Sequence, residues 1–525
     1  MTKKYLYIAV IVYTALFFLF FPSYKYFIDP DATGYLSVAE RLAKGDYFYA
    51  INGLWSPLGS WLLVPFMKSG FDAVLIAKYL NGFYGLLILV SFYHLIKKLR
   101  ISVIAGTGVL IAGVFLILHF VFLRLFGDLL QALFLFLYLN VICSKDFYLN
   151  NKKIILAGLV AGLGFYSKAY TFYFSLVHLV IVLLIFQKRI NDRFFCKEVV
   201  KKITIALTTL TAVVIPWAFI LKYRYGTFML SRTGTYNMTW SLSQVFKQPR
   251  VLFYPPPFPE AYSIWDDPSF WHVTNLTAFT SLKIFYFQIK LILSNFLELI
   301  KNLNIYSCFL IVISLIALLL IFNKTKGFAN NLYNIILVSF ILIWPVGILL
   351  LHVEARFLWV MAMIGLLLAG VLLTYIETCG YLNKKTHFVS VFIAAVSFCI
   401  YPIKQLKDQA GKGKNIYDMA AVLKKNNVGG NLITYFHDFR ERDASVILNY
   451  LIKGRYFGPH EIDYSTDEIL SGIEKYKIDY YILFYNSAYE KQEIIYGTIA
   501  AKADKVFSNL YPGIVIFSFK YDVNK

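Results

Sequence analysis

Apolar runs of bilayer length recur along the first 400 residues, separated mostly by short basic loops. A helix crosses the hydrocarbon core with about 17–25 predominantly apolar residues. Runs near that length fall at about 5–22, 73–96, 102–122, 128–144, 154–168, 170–187, 203–222, 305–322, 332–351, 357–377 and 387–403, which predicts about eleven transmembrane helices. The first run leads into Phe20-Phe21-Pro22-Ser23, without the small-x-small pattern of a cleaved signal, so it reads as a retained span. The stretch 281–302 is apolar but broken by Lys283, Lys290, Glu298 and Lys301, which predicts an amphipathic helix at the interface.

Past residue 404 the pattern changes. Apolar runs shrink to strand length at 432–436, 480–484 and 514–519, and helical patterns occupy 415–425 and 444–453. Ser465-Thr466-Asp467-Glu468 has the spacing of a capping box that starts another helix. The alternation predicts a small α/β domain over 405–525, following a polytopic α-helical membrane domain over 1–404. No catalytic motif stands out in the C-terminal part.

Composition agrees with a membrane protein. The chain is 59% hydrophobic and 15% charged, with a mean hydropathy of +0.62, against about 25% charged residues in soluble domains. A net charge of +21 in a soluble chain would point to nucleic acid. Here much of the excess sits in short loops, at Lys3-Lys4, Lys97-Lys98 with Arg100, Lys152-Lys153, Lys188-Arg189, Lys201-Lys202, Lys324 with Lys326, and Lys384-Lys385. That is the signature of cytoplasmic loops, so nucleic acid is excluded as a partner and the bilayer takes its place. A cytoplasmic N-terminus and an odd span count put the long loops 23–70 and 223–304, and the C-terminal domain, on the periplasmic side of a bacterial inner membrane. The 40 tyrosines and 48 phenylalanines read chiefly as lipid-facing or interfacial belt. Five cysteines form no disulfide framework and no CxxC pair. No P-loop, GxGxxG or HExxH occurs, which argues against ATP-driven transport.

The candidate chemistry lies at outer span ends. The first long loop opens with Asp29-Pro30-Asp31-Ala32-Thr33-Gly34-Tyr35 where the chain has just left the first span. Carboxylates at a membrane face are costly without a partner or a task. Arg124-Leu125-Phe126-Gly127-Asp128, Ser167-Lys168 and His352-Val353-Glu354-Ala355-Arg356 follow on the same side, with Arg232 and His272 in the second long loop. Each has a plain structural reading: a solvated loop, a helix cap, a snorkelling lysine, an internal ion pair. Their common sidedness favours convergence into one site for an anionic lipid headgroup and a hydroxyl acceptor.

At these residues the chain resembles the GT-C glycosyltransferases, most closely the group holding the protein O-mannosyltransferases, the lipid A aminoarabinose transferases and the RgtA/B/C/D-like transferases. The resemblance covers roughly residues 1–400. It rests on Asp31-Ala-Thr-Gly-Tyr35, Ala39-Glu-Arg-Leu42, Gly45-Asp46, Trp55-Ser-Pro57, Gly158–Lys168, Pro216-Trp217 before Tyr225-Gly226, and Glu354-Ala-Arg356-Phe357. Ala32 stands where the group commonly has Glu, and Phe357 where it commonly has Tyr. What the resemblance implies is sugar transfer from a polyprenyl-phosphate donor to a glycan, lipid or protein hydroxyl. Asp31 would be the general base, with Asp29 the alternative. Lys168, Arg356 and Arg232 would hold the donor phosphate, with Tyr35, Asp128, His352, Glu354 and His272 in support. No cofactor is certain, and a divalent metal remains open. The rival readings are a transporter or lipid flippase, a glycan ligase or polymerase with a diphosphate-linked donor, and a non-catalytic scaffold.

Overall fold

A computed structural model describes residues 1–243, 253–270, 277–435, 439–458, 465–484 and 496–520. The first apolar helix, α1 (Lys3–Tyr24), leads into a cluster of outer helices: α2 (Pro30–Lys44), α3 (Tyr47–Ala50) and α4 (Leu58–Lys68). The chain then runs through α5 (Ala73–Lys98), α6 (Val103–Leu123), α7 (Gly127–Ile142), α8 (Asn151–Phe165), α9 (Tyr170–Asn191) and α10 (Lys197–Tyr225). The second long loop carries α11 (Thr233–Ser243) and ends in α12 (Leu282–Tyr306). Four further apolar helices follow: α13 (Leu310–Phe322), α14 (Leu332–Leu351), α15 (Ala355–Thr378) and α16 (Lys384–Gln409).

Every predicted span corresponds to a helix, but their lengths differ from expectation. Among the described residues, eight helices are long and apolar enough to cross a membrane, or nine if α12 and α13 count as one span bent by 106°. The shorter ones are α7, α8 and α13, with 16, 15 and 13 residues. α8 is cut short by the Tyr166–Lys168 turn, and α13 by the break at Ser307, where α12 ends in extended backbone. The expected amphipathic helix is α12. Its buried residues Ile284, Gln288, Asn295, Leu299 and Leu303 are four or seven positions apart and so lie on one side. Gln288 and Asn295 donate to the carbonyls of Leu350 and Leu349, at 2.7 and 2.9 Å, where α14 runs out of helical partners.

α6 and α15 are the most buried of the long apolar helices, and between them the Phe120 and Trp359 rings stack with centroids 4.3 Å apart and the indole N–H of Trp359 reaches the Leu116 carbonyl at 3.0 Å. α8 and α10 approach through glycine. A Cβ at Gly158 would sit 2.8 Å from the Ala206 carbonyl oxygen, and one at Gly162 would sit 2.7 Å from Val213 Cβ. Small residues four apart let helix backbones meet where lipid supplies no hydrophobic drive between helices.

After α16, which runs past residue 404 to Gln409, come α17 (Lys414–Lys425), β1 (Asn431–Tyr435), α18 (Phe439–Ile452), β2 (Arg455–Tyr456), α19 (Thr466–Lys475), β3 (Tyr480–Phe484), β4 (Lys505–Phe507) and β5 (Ile514–Ser518). The sheet order is β2-β1-β3-β5-β4. β1 pairs in parallel with β2 and β3, while β5 runs antiparallel to β3 and β4. The capping box at Ser465 and Glu468 is formed. Phe436, expected at the end of the first strand, lies outside the described residues.

The C-terminal domain leans on α2. Glu40 accepts from Tyr262 Oη at 2.9 Å and also from Tyr450 Oη and Lys453 Nζ. Ile447 and Tyr450 pack in one apolar cluster with Ala32, Leu36 and Ala39 of α2. The second long loop closes another side: the Trp55 indole N–H donates to the Trp265 carbonyl at 2.7 Å, across the face of Gly34. A Cβ at Gly34 would collide with the Trp55 indole and lie 2.8 Å from that carbonyl. Gly34→Ala should therefore lower stability by about 1–3 kcal/mol through overpacking, seen as a fall in the thermal unfolding midpoint of the purified protein. An unchanged midpoint would mean that the Trp55–Trp265 contact yields freely.

Candidate active site

The site begins with the cap of α2. Asp29 is the N-cap residue, and Pro30 occupies the first helical position, where its missing N–H costs nothing. One Asp29 carboxylate oxygen accepts from the Ala32 amide at 3.1 Å and the other from the Leu125 amide at 3.3 Å. Both oxygens are thus held by backbone. Burial pushes this carboxyl above its usual range, and the charge of Asp31 pushes the same way, against Arg124 and Arg356. Asp31 sits in the first turn, where the helix dipole favours a carboxylate, and it is turned to the cavity instead.

Arg356 meets it there. Its Nη1 lies 2.6 Å from Asp31 Oδ2, while its Nε and Nη2 lie 2.6 and 3.2 Å from the two Glu354 oxygens. His352 Nε2 is 3.2 Å from Glu354 Oε1. Burial alone would raise the Glu354 pKa, but the His352 hydrogen bond and the Arg356 charge outweigh it and hold the carboxyl well below the usual range. Glu354 therefore stays ionised and holds the guanidinium through Nε and Nη2, leaving Nη1 towards Asp31.

A second pair, Asp128 with Lys168, stands beside the first. The Lys168 ammonium also lies 4.4 Å from the Phe357 ring centroid. Asp128 is presented by a strained turn: Phe126, just before α7, has φ = 66°, a conformation that bulky side chains adopt at a cost of order 1–3 kcal/mol. Its ring stacks on Tyr35, with centroids 5.2 Å apart and planes 22° from parallel. Burial raises the Tyr35 phenol well above its usual range, and Asp128 and Asp31 add to the effect.

Asp29, Asp31, Tyr35, Asp128, Lys168, His352, Glu354 and Arg356 line one cavity of about 190 Å³, closed by Trp55, Tyr236 and Trp265 from the two long loops. The structure so brings together eight of the ten residues singled out in the sequence. Arg232 lies outside it. Its guanidinium is 4.1 Å from the Tyr225 ring centroid and donates to the Ser269 carbonyl at 3.4 Å, while its amide donates to the Gly53 carbonyl at 2.7 Å. In that position it braces the two outer loops against each other. His272 lies outside the described residues.

Arg124 was quoted in the sequence with its stretch to Asp128 but given no role of its own. It lines the cavity and also a smaller one of about 100 Å³ that shares Arg356. Among the described residues its guanidinium has no hydrogen bond or ion pair, only longer-range attraction to Asp29 and Asp128. The available signal was its place at the outer end of α6, four positions before Asp128. Among the described residues, no group of three or more His, Cys, Asp and Glu side chains is arranged to hold a metal ion. The partners of these carboxylates are lysine, arginine, histidine and backbone amides.

An apolar helical bundle with helices in its first outer loop, a carboxylate at the start of the first of them, and a C-terminal α/β domain together make the GT-C fold of polytopic membrane proteins. The crystal structure of ArnT from Cupriavidus metallidurans bound to undecaprenyl phosphate is similar to this chain, with a TM-score of 0.54 and 12% sequence identity over 99% of this chain and 98% of that one. At that identity the likeness is one of fold. No family model matches the chain, and no curated protein matches it.

The cap and the cavity carboxylate are separable by mutation. The raised pKa of Asp29 means that its ionisation opposes folding: the penalty grows as pH rises from the unfolded value of about 3.9 through the native value, and persists above it. Asn keeps one acceptor for the Ala32 amide and sheds the charge, but turns its NH2 towards the Leu125 amide, so Asp29→Asn should stay more stable than Asp29→Ala at neutral pH. Asp29→Ala should lose about 1 kcal/mol with the cap. Thermal unfolding checks both, and an Asn variant as unstable as the Ala variant would give the charge itself a role in the fold.

Proposed function

We propose that this protein is a glycosyltransferase that moves a sugar from a polyprenyl-phosphate donor to a hydroxyl acceptor on a glycan, lipid or protein, with inversion at the anomeric carbon. The observation that carries the reading is the Asp31–Arg356 pair in a small cavity at the ends of apolar helices, with Lys168 and Arg124 beside it. That the structurally similar ArnT was solved with undecaprenyl phosphate bound supports a lipid phosphate as the ligand.

Asp31 serves as the base. The acceptor oxygen attacks the anomeric carbon, its proton passes to the Asp31 carboxylate, and the bond from that carbon to the phosphate oxygen breaks with its electron pair staying on the lipid phosphate. Arg356, Lys168 and Arg124 stabilise the charge that grows on the departing phosphate. Arg356 offers a fork for two phosphate oxygens and Lys168 a point charge. An incoming phosphate competes with Asp31 for Arg356, so donor binding frees the base for the acceptor. Glu354, held ionised by His352 and Arg356, keeps the guanidinium in place during the exchange. The apolar helix ends next to the cavity hold the lipid chain.

The test is a membrane assay with a panel of radiolabelled polyprenyl-phosphate sugars, following which one is consumed and where the label goes. Asp31→Asn should cut turnover by about 10²–10⁴-fold while donor binding persists. Arg356→Lys and Lys168→Ala should instead weaken donor binding, the first despite its retained charge, because the fork is lost. Near-wild-type turnover in Asp31→Asn would remove Asp31 as the base. Unchanged donor affinity in both cation variants would make those residues structural.

The same reading puts the cavity and the C-terminal domain on the periplasmic side of the inner membrane, with the N-terminus in the cytoplasm. Asn426 is exposed at the end of α17. Asn426→Cys, in a background with the five native cysteines replaced, should react with a membrane-impermeant maleimide in intact spheroplasts. Labelling only after lysis would invert the topology and defeat a donor presented on the outer leaflet.

A further inference from the structure

Two further cavities flank the Asp31 site. The larger, about 1040 Å³, lies between the far end of α2, the turn joining α4 to α5, and the C-terminal domain. Its Glu40 and Arg41 are met within the chain, the first by Tyr262, Tyr450 and Lys453, the second by Asp46 and Asp266. The smaller, about 100 Å³, lies on the other side of Arg356, between the ends of α6 and α12, the start of α15 and the last turns of α16.

Arg124 and Arg356 line both this small cavity and the Asp31 cavity. On the Asp31 side they stand among four carboxylates, Asp29, Asp31, Asp128 and Glu354. No carboxylate lines the small cavity. Tyr401, Gln405 and Gln409 do, spaced four apart on α16 and so on one face of that helix. Among the described residues none of these three side chains, nor that of Arg124, makes a hydrogen bond, and none of their polar atoms is sealed from solvent. A ligand in the cavity can therefore reach them. Lys404, Lys407 and Asp408 of α16 are exposed and do not line it. Arg356 is committed to Asp31 and Glu354, so it adds charge to the wall while Arg124 is the cation free to make contact.

A space of this size holds about three water molecules, or one tetrahedral oxyanion. A phosphate monoester carries about −1.5 to −2 charges near neutral pH and three acceptor oxygens. A diester has less charge and fewer free oxygens. An unpaired guanidinium facing a row of uncharged donors suits the monoester, the fork taking two oxygens and the hydroxyl and amides the rest. Next to the lining residues the surface is apolar: Ile305 of α12 and Ile400 and Ile403 of α16 are exposed. That surface suits hydrocarbon attached to the phosphate and does nothing for a free phosphate ion.

We propose that this cavity binds the terminal phosphate of a lipid monophosphate, the form of the carrier once its sugar has left. The identity of the lipid rests on the glycosyltransferase reading; the phosphate site does not. Sugar transfer turns the phosphodiester of the donor into a monoester, which adds negative charge beside four carboxylates. Arg124, common to both cavities, passes that phosphate to the side without carboxylates and away from Asp31.

The test is calorimetric titration of the full chain in phosphatidylcholine nanodiscs, corrected with empty nanodiscs, using farnesyl monophosphate, its methyl diester and inorganic phosphate as probes. The monophosphate should bind at least roughly tenfold more tightly than either of the others, one hydrogen bond to a charged group being worth about that factor. Tyr401→Phe, Gln405→Leu and Gln409→Leu should each weaken it severalfold with unchanged thermal unfolding, and Arg124→Gln by about tenfold or more. Affinity indifferent to these four substitutions would overturn the site. Equal affinity for the methyl diester would overturn the monoester, and equal affinity for inorganic phosphate would overturn the lipid. A monophosphate that loses affinity in Lys168→Ala but in none of the four variants sits in the Asp31 cavity, and the assignment fails. Binding that depends on these four residues, in a chain that transfers no labelled sugar, would keep the site and remove the glycosyltransferase reading.

Discussion

One guanidinium ties the molecule together where its first long loop meets the helical bundle. Arg356 stands at the start of α15, the most buried of the long apolar helices, and reaches Asp31, 325 positions earlier in the chain. A cation so little exposed is tolerable only if anions meet it with good geometry, because removing one partner of a buried pair leaves an uncompensated charge. Glu354 and Asp31 are those anions. The pairing fixes where α2 begins relative to the bundle. The position of α2 then fixes the Tyr35–Phe126 stack, the Asp29 contact with the Leu125 amide, and the approach of Trp55 and Trp265 over Gly34. A group that binds anions is thus also a structural keystone, and an anionic ligand at this point competes directly with a contact that organises the fold.

α2 is the common wall of the two principal outer cavities. Its first two turns supply Asp31 and Tyr35 to the smaller one, and its last turns supply Glu40, Arg41 and Lys44 to the larger. The helix can do this because it is covered on several sides at once, by α4, the second long loop and α18. It ends at Gly45, whose φ of 87° and amide contacts to the Arg41 and Leu42 carbonyls close the helix before the chain turns away. Glu40 near that end is the counterpart of Arg356 at the other: one charged side chain meeting partners from the second long loop and the C-terminal domain.

The legibility of these features divides by range. α2 was not named as a helix in the sequence, yet its Asp-Pro start and its glycine stop are local signals, and the structure uses both. The capping box at Ser465 was read correctly because it needs only four consecutive residues. The two short strands, Arg455–Tyr456 and Lys505–Phe507, were missed. Two or three residues give no alternation to read, and these strands exist because longer neighbours offer an edge to pair with. Arg124 was quoted with its stretch but given no role for a related reason: nothing next to it in the chain separates an arginine facing a cavity from one facing solvent.

The sequence by itself determined the polytopic class, the approximate spans and most of the polar groups that gather in one cavity, because hydrophobic periodicity and the cost of charge in lipid act along the chain. Only the tertiary structure decided that Asp29 is held by backbone amides while Asp31 faces a cation, that Asp128 takes Lys168 while Glu354 takes Arg356, and that Arg232 braces loops away from the cavity. It alone placed a second, larger cavity behind α2. Those outcomes depend on which groups meet across tens to hundreds of residues. They are fixed by the packing of helices on one another, and no local pattern carries that information.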